Sequence, residues 1–573
     1  MKTKVTSRKS AGSDVVTPSA SYRLPGLYIL ILVIATWFVY KPALQNDFTN
    51  WDDNTYVYEN PLLQMPASEA IPKMFAEPYY LLYTPLTLLS YGLNAWYQGD
   101  SAHYYIQTNI VLHILNTLLI FLWMRQLQMS WLASLIAGLA FGLHPMHVES
   151  VAWISERKDV LYTLFFIAAM MSWTRYRKSE NIRYYFLALF LFILSCLSKP
   201  SAVVLPPVLL AIDYLLWGKL NFRAQLNIIP FFIVSIVFGW ILLYGVDTQG
   251  GKTHDDGFSS HTFSTVETII LAIYSYVWYP VKMLWPHPLN AFYAYPLNHQ
   301  PLPWYMYASP ILLLAIAGHM YYGWMKKQKD ILFIWVFYTI TIFLFIKVLT
   351  TVGALTYDRY FYVASIGFCY ALARFADHTS HKKILVALML PVLAIWGYLS
   401  YQRTGVWKDS YALMSDMISM YPDHVPFAYN NRGLWLDKNG RNPEALENFK
   451  QAIRLDPRSP NAYLNAGRAF GQMQMPDSAI VYLEKVLTMD AGDSKVYNNL
   501  GNAYGLKGNF LKAQTAFTKA IELDPSNANA YYNLAVTYSM TGDTIQTDYW
   551  MRESARRGNA GAQNALQSRG KTW

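Results

Sequence analysis

The 573-residue sequence is 54% hydrophobic and only 14% charged, and it contains 19 Trp and 45 Tyr residues. This composition excludes an ordinary soluble protein and is typical of a membrane protein with aromatic belts at the bilayer surface. The net charge is +10, but much of the Lys and Arg lies between apolar stretches. Such basic residues set the orientation of the chain in the membrane and contact lipid headgroups, so they do not indicate nucleic-acid binding. Cys196 and Cys369 both lie inside apolar stretches, so neither a disulfide framework nor a cysteine-based metal site is available.

The chain begins with a basic, Ser-rich segment, residues 1–23, which predicts a disordered cytoplasmic tail. An uncharged stretch from Gly26 to Tyr40 follows it. A signal peptide is the alternative interpretation, but no small-residue cleavage site follows this stretch. We therefore expect a retained first transmembrane helix.

Further apolar stretches, each about long enough to cross a bilayer, predict an all-α polytopic bundle of about eleven spans over residues 24–402. They cover residues 104–126, 131–150, 158–174, 183–199, 200–217, 226–246, 304–324, 331–350, 358–376 and 383–402. The basic residues between them fall in alternate loops on the side of the basic tail, which predicts a cytoplasmic amino terminus. The loops 42–103 and 247–303, and everything after residue 402, are then extracytoplasmic. The stretches 183–199 and 200–217 are joined with almost no loop, so the span count stays open there.

Two regions rich in Tyr, Trp and Leu, residues 70–100 and 262–288, are interrupted by proline. They are predicted to be amphipathic segments that lie at the outer surface of the bilayer.

A 34-residue period appears after Gln402, in units 424–457, 458–491, 492–525 and 526–559. The third unit carries the core pattern most fully, with Gly501, Tyr504, Ala513 and Phe517. This is the tetratricopeptide pattern, with two antiparallel helices per unit, and it predicts an extracytoplasmic α-solenoid over residues 403–573. Residues 407–420 supply one more amphipathic helix that can close the first end of the solenoid.

The segment FTNWDDNTYVYENP, which follows the first span, contains the adjacent carboxylates Asp52 and Asp53. Two neighbouring acids can divide the labour of base catalysis, one accepting a proton while the other orients a partner. Carboxylates held at a membrane surface can also meet a lipid-borne and a soluble substrate at one place. Such pairs are common in solvated loops as well, and a second pair, Asp255 and Asp256 in GGKTHDDGFSSH, is better explained in that way.

Cationic side chains are predicted at the outer ends of several spans, where an anionic lipid phosphate would need them. Arg359 is favoured for its bidentate geometry, and Arg157, Lys158 and Lys199 are further candidates. The alternative is that each one simply extends to the lipid headgroups.

A polar network at the outer mouth is predicted from His144, His147 and Glu149 in HPMHVES. A zinc site was the competing interpretation, but Pro145 interrupts the helical spacing that such a site would use. We therefore expect no metal or other cofactor, and activity that survives chelators.

The first helix of each repeat lines the groove of a tetratricopeptide solenoid. Its polar side chains are candidates for binding an extended polypeptide, because an amide both donates to and accepts from a peptide backbone. The alternative is a set of solvated surface positions. The candidates are Asn461, Arg468, Asn498, Asn502 and Asn529.

A family resemblance rests on seven ordered motifs: FTNWDD with YVYENPLL, YTPLTLLSYGLN, HYYIQTNIVLHILN, AFGLHPMHVESVAWISERKDVL, LSKPSAVVLP, LWPHPLNAFYAYP and LTYDRYFYVASIG. Together with the repeats, they resemble the transmembrane O-mannosyltransferases with tetratricopeptide repeats and their bacterial relatives. The resemblance implies a GT-C glycosyltransferase with a polyprenyl-phosphate-linked sugar as donor. It implies that Asp52 and Asp53 form the acidic motif of the first outer loop and that Arg359 matches a late arginine. Thr84 and the Lys199–Pro200 pair depart from the family pattern, so the resemblance does not fix the sugar.

These observations predict an inverting membrane glycosyltransferase that transfers a sugar to a hydroxyl acceptor, a protein Ser or Thr held by the groove, outside the cytoplasm. A glycan or lipid acceptor stays open as an alternative. The rival from another class is a non-catalytic membrane scaffold whose repeats assemble other proteins. No nucleic-acid partner is expected.

Overall fold

The computed structural model describes residues 23–80, 82–220, 225–248, 263–297, 300–346, 353–489 and 493–573. The predicted tail up to residue 22 and the second acidic pair, Asp255 and Asp256, lie outside these residues. Within them the chain is helical, as predicted, and it forms no β-strand, only the isolated bridges Tyr79–Leu82 and Tyr293–Thr356.

The helices before the predicted repeats follow one another with short connections. In chain order they are α1 (Arg23–Tyr40), α2 (Pro61–Gln64), α3 (Ala67–Ala76), α4 (Pro85–Gln98), α5 (Ala102–Gln126), α6 (Trp131–Leu143), α7 (Val148–Ala152), α8 (Arg157–Ser179), α9 (Ile182–Ser198), α10 (Leu205–Trp217), α11 (Ile229–Thr248), α12 (Thr265–Leu284), α13 (Trp304–Tyr307), α14 (Ser309–Met325), α15 (Lys329–Ile342), α16 (Phe361–His378), α17 (Lys382–Arg403) and α18 (Ser410–Met420).

The predicted count of about eleven membrane spans is not confirmed. Five helical segments of the described residues are long and apolar enough to cross a bilayer, and the bent pair of α6 with Pro145–Ala152 makes a sixth if it counts as one span. The five are Gly26–Gln45, Ala102–Gln126, Pro200–Trp217, Leu226–Leu243 and Lys382–Trp407.

The remaining predicted stretches form helices that are shorter or that carry charged side chains. Both α9 and α14 have 17 residues, and α15 has 14. At about 1.5 Å of rise per residue, a 17-residue helix covers roughly 26 Å, less than the ~30 Å hydrocarbon core. The helix α8 is longer but begins with Arg157, Lys158 and Asp159, so its first turn is ionic rather than apolar.

Helix pairs occupy each of the four predicted repeats. They are α19 (Pro426–Lys438) with α20 (Asn442–Leu455), α21 (Pro460–Gln472) with α22 (Pro476–Leu487), α23 (Ser494–Leu506) with α24 (Phe510–Leu523), and α25 (Ala528–Met540) with α26 (Thr544–Arg556), followed by α27 (Ala560–Gln567). Because most of these helices begin at Pro, or after Asn or Asp caps, the sequence fixes their starts.

Small residues allow the two helices of a repeat to approach each other. A Cβ atom added at Gly501 would lie 2.5 Å from Cε1 of Phe517, and one added at Gly433 would lie 2.6 Å from the same atom of Phe449. The fourth repeat has Ala at the Gly501 position, Ala535, and Met551 at the Phe517 position. A flexible methionine therefore accommodates the extra methyl group there.

The first repeat packs directly on the loop that carries Asp52. The backbone N–H of Asn50 donates to Ser410 Oγ at 2.8 Å, and its side-chain amide donates to the carbonyl of Asn431 at 2.8 Å. The ring of Trp51 lies 6.2 Å from that of Phe427, the second residue of α19. These contacts fix the beginning of the solenoid beside the acidic loop.

A buried group of ion pairs joins the end of α17 to α18 and to the turn that contains Asp358. The guanidinium of Arg403 lies 3.5 Å from Asp358 Oδ2 and 3.7 Å from Asp416 Oδ2, on α18. Tyr293 donates a hydrogen bond of 2.8 Å to Asp358. Since Asp358 precedes Arg359, this group of ion pairs connects the base of the solenoid to a predicted cation.

Gly501→Ala is expected to destabilise the repeats by about 1–3 kcal/mol, because the added methyl group overlaps the ring of Phe517. Gly505→Ala, in the same helix, is the matched control, since a Cβ atom there meets nothing within 4 Å. It should be neutral or slightly stabilising, because Ala favours a helix more than Gly does. The measurement is the urea dependence of proteolysis within residues 494–573 of the full-length protein. Equal midpoints for the two variants would contradict this packing.

Candidate active site

Asp52 lies in the wall of a large cavity between the loop after α1 and the repeats. The cavity has a volume of about 1820 Å³, and its wall includes Trp51, Asp52 and Tyr58 together with residues of the first helix of every repeat. The residues after Asp52 form a single wide helical turn, Asn54–Tyr58, closed by the bond from the Glu59 N–H to the Asn54 carbonyl at 2.9 Å, and the Tyr56 N–H donates to the Asp52 carbonyl at 3.0 Å. This turn holds the Asp52 side chain at the cavity surface.

Asp53 points the other way and is 1% exposed. Its carboxylate accepts hydrogen bonds from Thr49 N at 2.8 Å and Thr49 Oγ1 at 3.0 Å, and from Ser155 N at 3.0 Å and Ser155 Oγ at 2.5 Å. The predicted share of Asp53 in the chemistry stays a prediction, and the contacts observed here are structural. This side chain ties the acidic loop to the segment before α8 and does not reach the cavity.

Three predicted cations converge on one carboxylate that the sequence did not single out, Glu156. Its Oε1 lies 3.3 Å from Lys158 Nζ and 3.4 Å from Arg359 Nε, and its Oε2 lies 3.3 Å from Lys199 Nζ. About a tenth of each cationic side chain is exposed: 9% for Lys158, 10% for Lys199 and 13% for Arg359. The structure thus brings together three of the four cations predicted to meet a phosphate.

Each of these charged residues lies at or beside an interruption of a helix. Lys199 is extended, with φ −153° and ψ 129°, between α9 and a short 3-10 helix. Arg359 lies in the 3-10 turn Asp358–Tyr360 before α16. Glu156 ends the 3-10 turn Ile154–Glu156 before α8. Two of these breaks lie between predicted spans and the third lies at the start of the predicted span 358–376, so the charges gather at the ends of the predicted spans.

Arg359 is also fixed by Glu149 and by aromatic rings. Its Nη1 lies 2.5 Å from Glu149 Oε1, and its backbone N–H donates to Oε2 at 3.0 Å. The guanidinium lies 3.7 Å from the ring centre of Tyr357 and 5.3 Å from that of Trp153. Trp153 stacks on Trp51 at 4.9 Å, so the cation and the cavity wall share one aromatic stack.

Arg157 does not join this cluster. It is completely buried, and its guanidinium donates to Asn109 Oδ1 at 2.9 Å and to the carbonyls of Ser90 and Tyr105 at 2.8 Å each. The rings of Tyr91 and Tyr105 cover it. The prediction that Arg157 meets a phosphate stays a prediction, and in the structure its donors join the start of α8 to α4 and α5.

The two histidines are likewise separate from Glu149. His144 is bonded to the Met283 carbonyl at 3.3 Å and to the Met146 N–H at 3.3 Å, while His147 is bonded to the Phe141 carbonyl at 2.8 Å and to Ser365 Oγ at 3.1 Å. Their ring nitrogens are thus occupied by protein partners. Glu149 is bonded to Arg359 instead of to these histidines, and the described ranges contain no group of His, Cys, Asp and Glu placed to hold a metal ion.

The pKa values of Asp52 and Glu156 are shifted in opposite directions. Burial raises the pKa of Asp52; Lys158 and Arg359 lower it and Glu156 raises it, so that the net pKa is above the usual aspartate range. Burial also raises the pKa of Glu156, but the charges of Lys158, Lys199 and Arg359 outweigh burial and hold it below the usual glutamate range. The surroundings thus favour the protonated form of Asp52 and the anionic form of Glu156, relative to the free side chains.

The groove side of the cavity includes most of the predicted peptide-binding residues. Asn461, Arg468, Asn498 and Asn529 lie in its wall, whereas Asn502 is exposed and absent from it. Arg468 forms an ion pair of 3.0 Å with Asp437, so its charge is partly satisfied within the protein.

A more regular set of amides was missed. An asparagine recurs at the same position of all four repeats, and three of these residues line the cavity. The 34-residue spacing contains this signal; the missing step was to compare the repeats position by position. The four residues are Asn431, Asn465, Asn499 and Asn533.

Comparisons with known proteins agree with these features. Residues 98–244 match the family described as dolichyl-phosphate-mannose-protein mannosyltransferase. Residues 437–474 and 501–542 match TPR repeat, and residues 460–493 match tetratricopeptide repeat. This chain resembles the protein O-mannosyl-transferases, as its motifs predicted.

Similarity to curated O-mannosyl-transferases extends over most of the chain. Protein O-mannosyl-transferase F38B6.6 of Caenorhabditis elegans is 25% identical over 465 residues, 77% of this chain and 64% of the relative. Human Protein O-mannosyl-transferase TMTC3 is 22% identical over 72% of this chain and 48% of its own length. Human Protein O-mannosyl-transferase TMTC1 is 23% identical over 76% of this chain and 56% of its own length. The chain therefore spans about half to two thirds of the O-mannosyl-transferases it matches.

Solved structures match a smaller part of the chain. The crystal structure of MamA is 22% identical, with a TM-score of 0.24, over 27% of this chain and 89% of its own. YrrB, a TPR protein with an unusual peptide-binding site, is 18% identical, with a TM-score of 0.25. The match covers 34% of this chain and 96% of YrrB.

Asp53→Asn is expected to lower the free energy of unfolding by about 1–3 kcal/mol, because an amide nitrogen would face donors that now meet a carboxylate oxygen. Asp52→Asn should cost less, since it changes a carboxylate in the cavity wall for an amide of similar size. Thermal melting of the two full-length variants compares them. A larger loss for Asp52→Asn would contradict the opposite roles of the pair.

Proposed function

We propose that this protein is a GT-C-type inverting glycosyltransferase that moves mannose from a polyprenyl-phosphate-linked donor to a Ser or Thr hydroxyl of a protein. The observation that carries the proposal is the position of Asp52. It lies in the wall of the cavity that extends to the repeats, and it is within electrostatic reach of Lys158 and Arg359 on its other side. The names of the similar O-mannosyl-transferases support the sugar and the acceptor class.

The two sides of Asp52 fit two substrates. The cavity wall includes Asp52 but, among the described residues, none of Lys158, Lys199 and Arg359. A soluble acceptor would enter through the cavity, while a lipid-linked phosphate would approach the cations from the membrane part. The acidic loop directly follows the first apolar span, on the side away from the basic tail, and the first repeat packs on this loop, which supports an extracytoplasmic site.

In the proposed reaction Asp52 accepts the proton of the acceptor hydroxyl. The hydroxyl oxygen forms a bond to the anomeric carbon as the bond from that carbon to the phosphate oxygen breaks. The electron pair leaves with the polyprenyl phosphate, and the cations stabilise the charge that develops there. Attack opposite the leaving phosphate inverts the anomeric centre. The raised pKa of Asp52 suits a base, because proton affinity drives the transfer.

The Asn-rich wall of the groove is suited to an extended polypeptide. Asn430 and Asn465 are joined by a hydrogen bond of 2.9 Å, and Asn498 and Asn533 by one of 3.1 Å, so amides of neighbouring repeats already form ordered pairs. Their remaining donors and acceptors match a peptide backbone without selecting its side chains. A segment held in this groove would have a raised effective concentration at Asp52.

Asp52→Asn should reduce transfer from a polyprenyl-phosphate-linked mannose by at least about a hundredfold, because an amide cannot accept the proton. Glu59→Gln, an exposed acid in the same cavity wall, is the matched control and should stay near wild type. In the wild type, kcat/KM should fall as the pH is lowered through the pKa of Asp52, which lies above the usual aspartate range. A wild type that transfers no sugar would instead favour the scaffold, and an active Asp52→Asn variant would exclude this base.

Asn461→Ala should raise the KM for a peptide acceptor about threefold to tenfold while leaving the KM for the donor unchanged, since one hydrogen bond contributes roughly 0.5–1.5 kcal/mol. Asn502→Ala is the control: it is also an exposed asparagine on the first helix of a repeat, but it lies outside the cavity wall. Steady-state transfer to a Ser-containing peptide measures both. Equal acceptor KM values for the two variants would argue against acceptor binding in the groove.

A further inference from the structure

Glu156 is the centre of the cationic cluster rather than one more member of it. Its two oxygens contact Lys158, Lys199 and Arg359, which come from α8, from the break after α9 and from the turn before α16. Glu156 itself is 1% exposed. One buried carboxylate therefore joins three separate parts of the chain through their positive charges.

The other acids near the cluster each contact a single cation. Asp159 Oδ1 lies 2.5 Å from Lys199 Nζ, and Glu149 Oε1 lies 2.5 Å from Arg359 Nη1. Lys158 has no other ion pair within the described part of the chain, and its ammonium lies 4.9 Å from the ring centre of Tyr56. Without Glu156, Lys158 would lose its anionic contact, and the three cations would repel one another in a region of low dielectric.

We propose that Glu156 is a positioning residue that assembles the binding site for the donor phosphate by holding Lys158, Lys199 and Arg359 toward one point. This inference rests on the proposed function and assigns a role to a residue of the same site. Glu156 does not touch the reacting atoms; it acts through the three cations. An anion that reaches the exposed part of these side chains finds them already gathered, and the ordering of three long side chains is completed before it binds.

Glu149 and Asp159 do not replace it in this role. Glu149 also accepts the backbone N–H of Arg359, and Asp159 also accepts a hydrogen bond from Ser150 at 3.1 Å, so each fixes its own local turn. Glu156 alone spans the cluster among the described residues.

The test uses the full-length protein in detergent and polyprenyl phosphate without a sugar as the probe. Glu156→Gln keeps the size of the side chain but removes its charge, and we expect the Kd for the probe to rise about tenfold or more. Glu156→Asp keeps the charge but withdraws it by one methylene group, so an intermediate Kd is expected. In transfer assays the KM for the donor should rise by a similar factor, with a smaller change in kcat.

Asp213→Asn is the matched control, because it also neutralises a fully buried acid with a cationic partner, Arg177 at 3.0 Å, which lies near the end of α8 opposite to Lys158. Thermal melting of both variants reports how much the neutralisation of a buried acid lowers the stability of the protein. The control should bind the probe as the wild type does.

Three outcomes would overturn the proposal. The first is unchanged binding by Glu156→Gln, the second is tighter binding, which would make Glu156 a competitor of the phosphate, and the third is an equal loss in Asp213→Asn. If Glu156→Gln does not fold, the same criteria apply to Glu156→Asp. A wild type that does not bind polyprenyl phosphate would contradict the proposed function itself and is distinguishable from all three.

Discussion

The cost of burying charge is the constraint on which the membrane part of this protein depends. An unpaired ion in such a region is strongly unfavourable, so each buried acid and base must find a partner at the interruptions between helices. Glu149, Glu156 and Asp159 meet Lys158, Lys199 and Arg359 there. The pairing draws together the start of α8, the end of α9 and the turn before α16. The same interruptions shorten several apolar helices.

Asp53 and Arg157 hold in place the segment that carries Glu156. Asp53 holds the acidic loop to Ser155, and Arg157 holds the start of α8 to α4 and α5. Between them lies Glu156, so the segment from Ser155 to Arg157 is fixed on both sides. Asp52 gains its position from this framework while its own side chain stays at the cavity surface. Of these two adjacent residues, Asp53 holds the acidic loop in place, whereas Asp52 lies in the cavity wall.

The repeats are continuous with the site rather than attached to it by a free linker. Trp153 stacks on both Trp51 and Trp407, which lies just after α17. Phe427 of the first repeat packs near Trp51 and lies 4.9 Å from the ring centre of Phe292. This aromatic packing, together with the Arg403 ion pairs, sets the first repeat against the acidic loop. The groove consequently opens toward Asp52.

The sequence by itself determined the helical class, the membrane character and the repeats, because these depend on local composition and on a period of 34 residues. It also indicated Asp52, Lys158, Lys199 and Arg359 as candidates, since charges beside apolar stretches stand out. It could not separate Asp52 from Asp53, because adjacent side chains diverge only when a turn such as Asn54–Tyr58 is formed. Nor could it separate Arg157 from the cation cluster or find Glu156, since the partners of Arg157 and two of the cations that meet Glu156, Lys199 and Arg359, lie more than 40 residues away. Only the tertiary structure decided which charges meet, because long-range packing selects the partners of a buried ion.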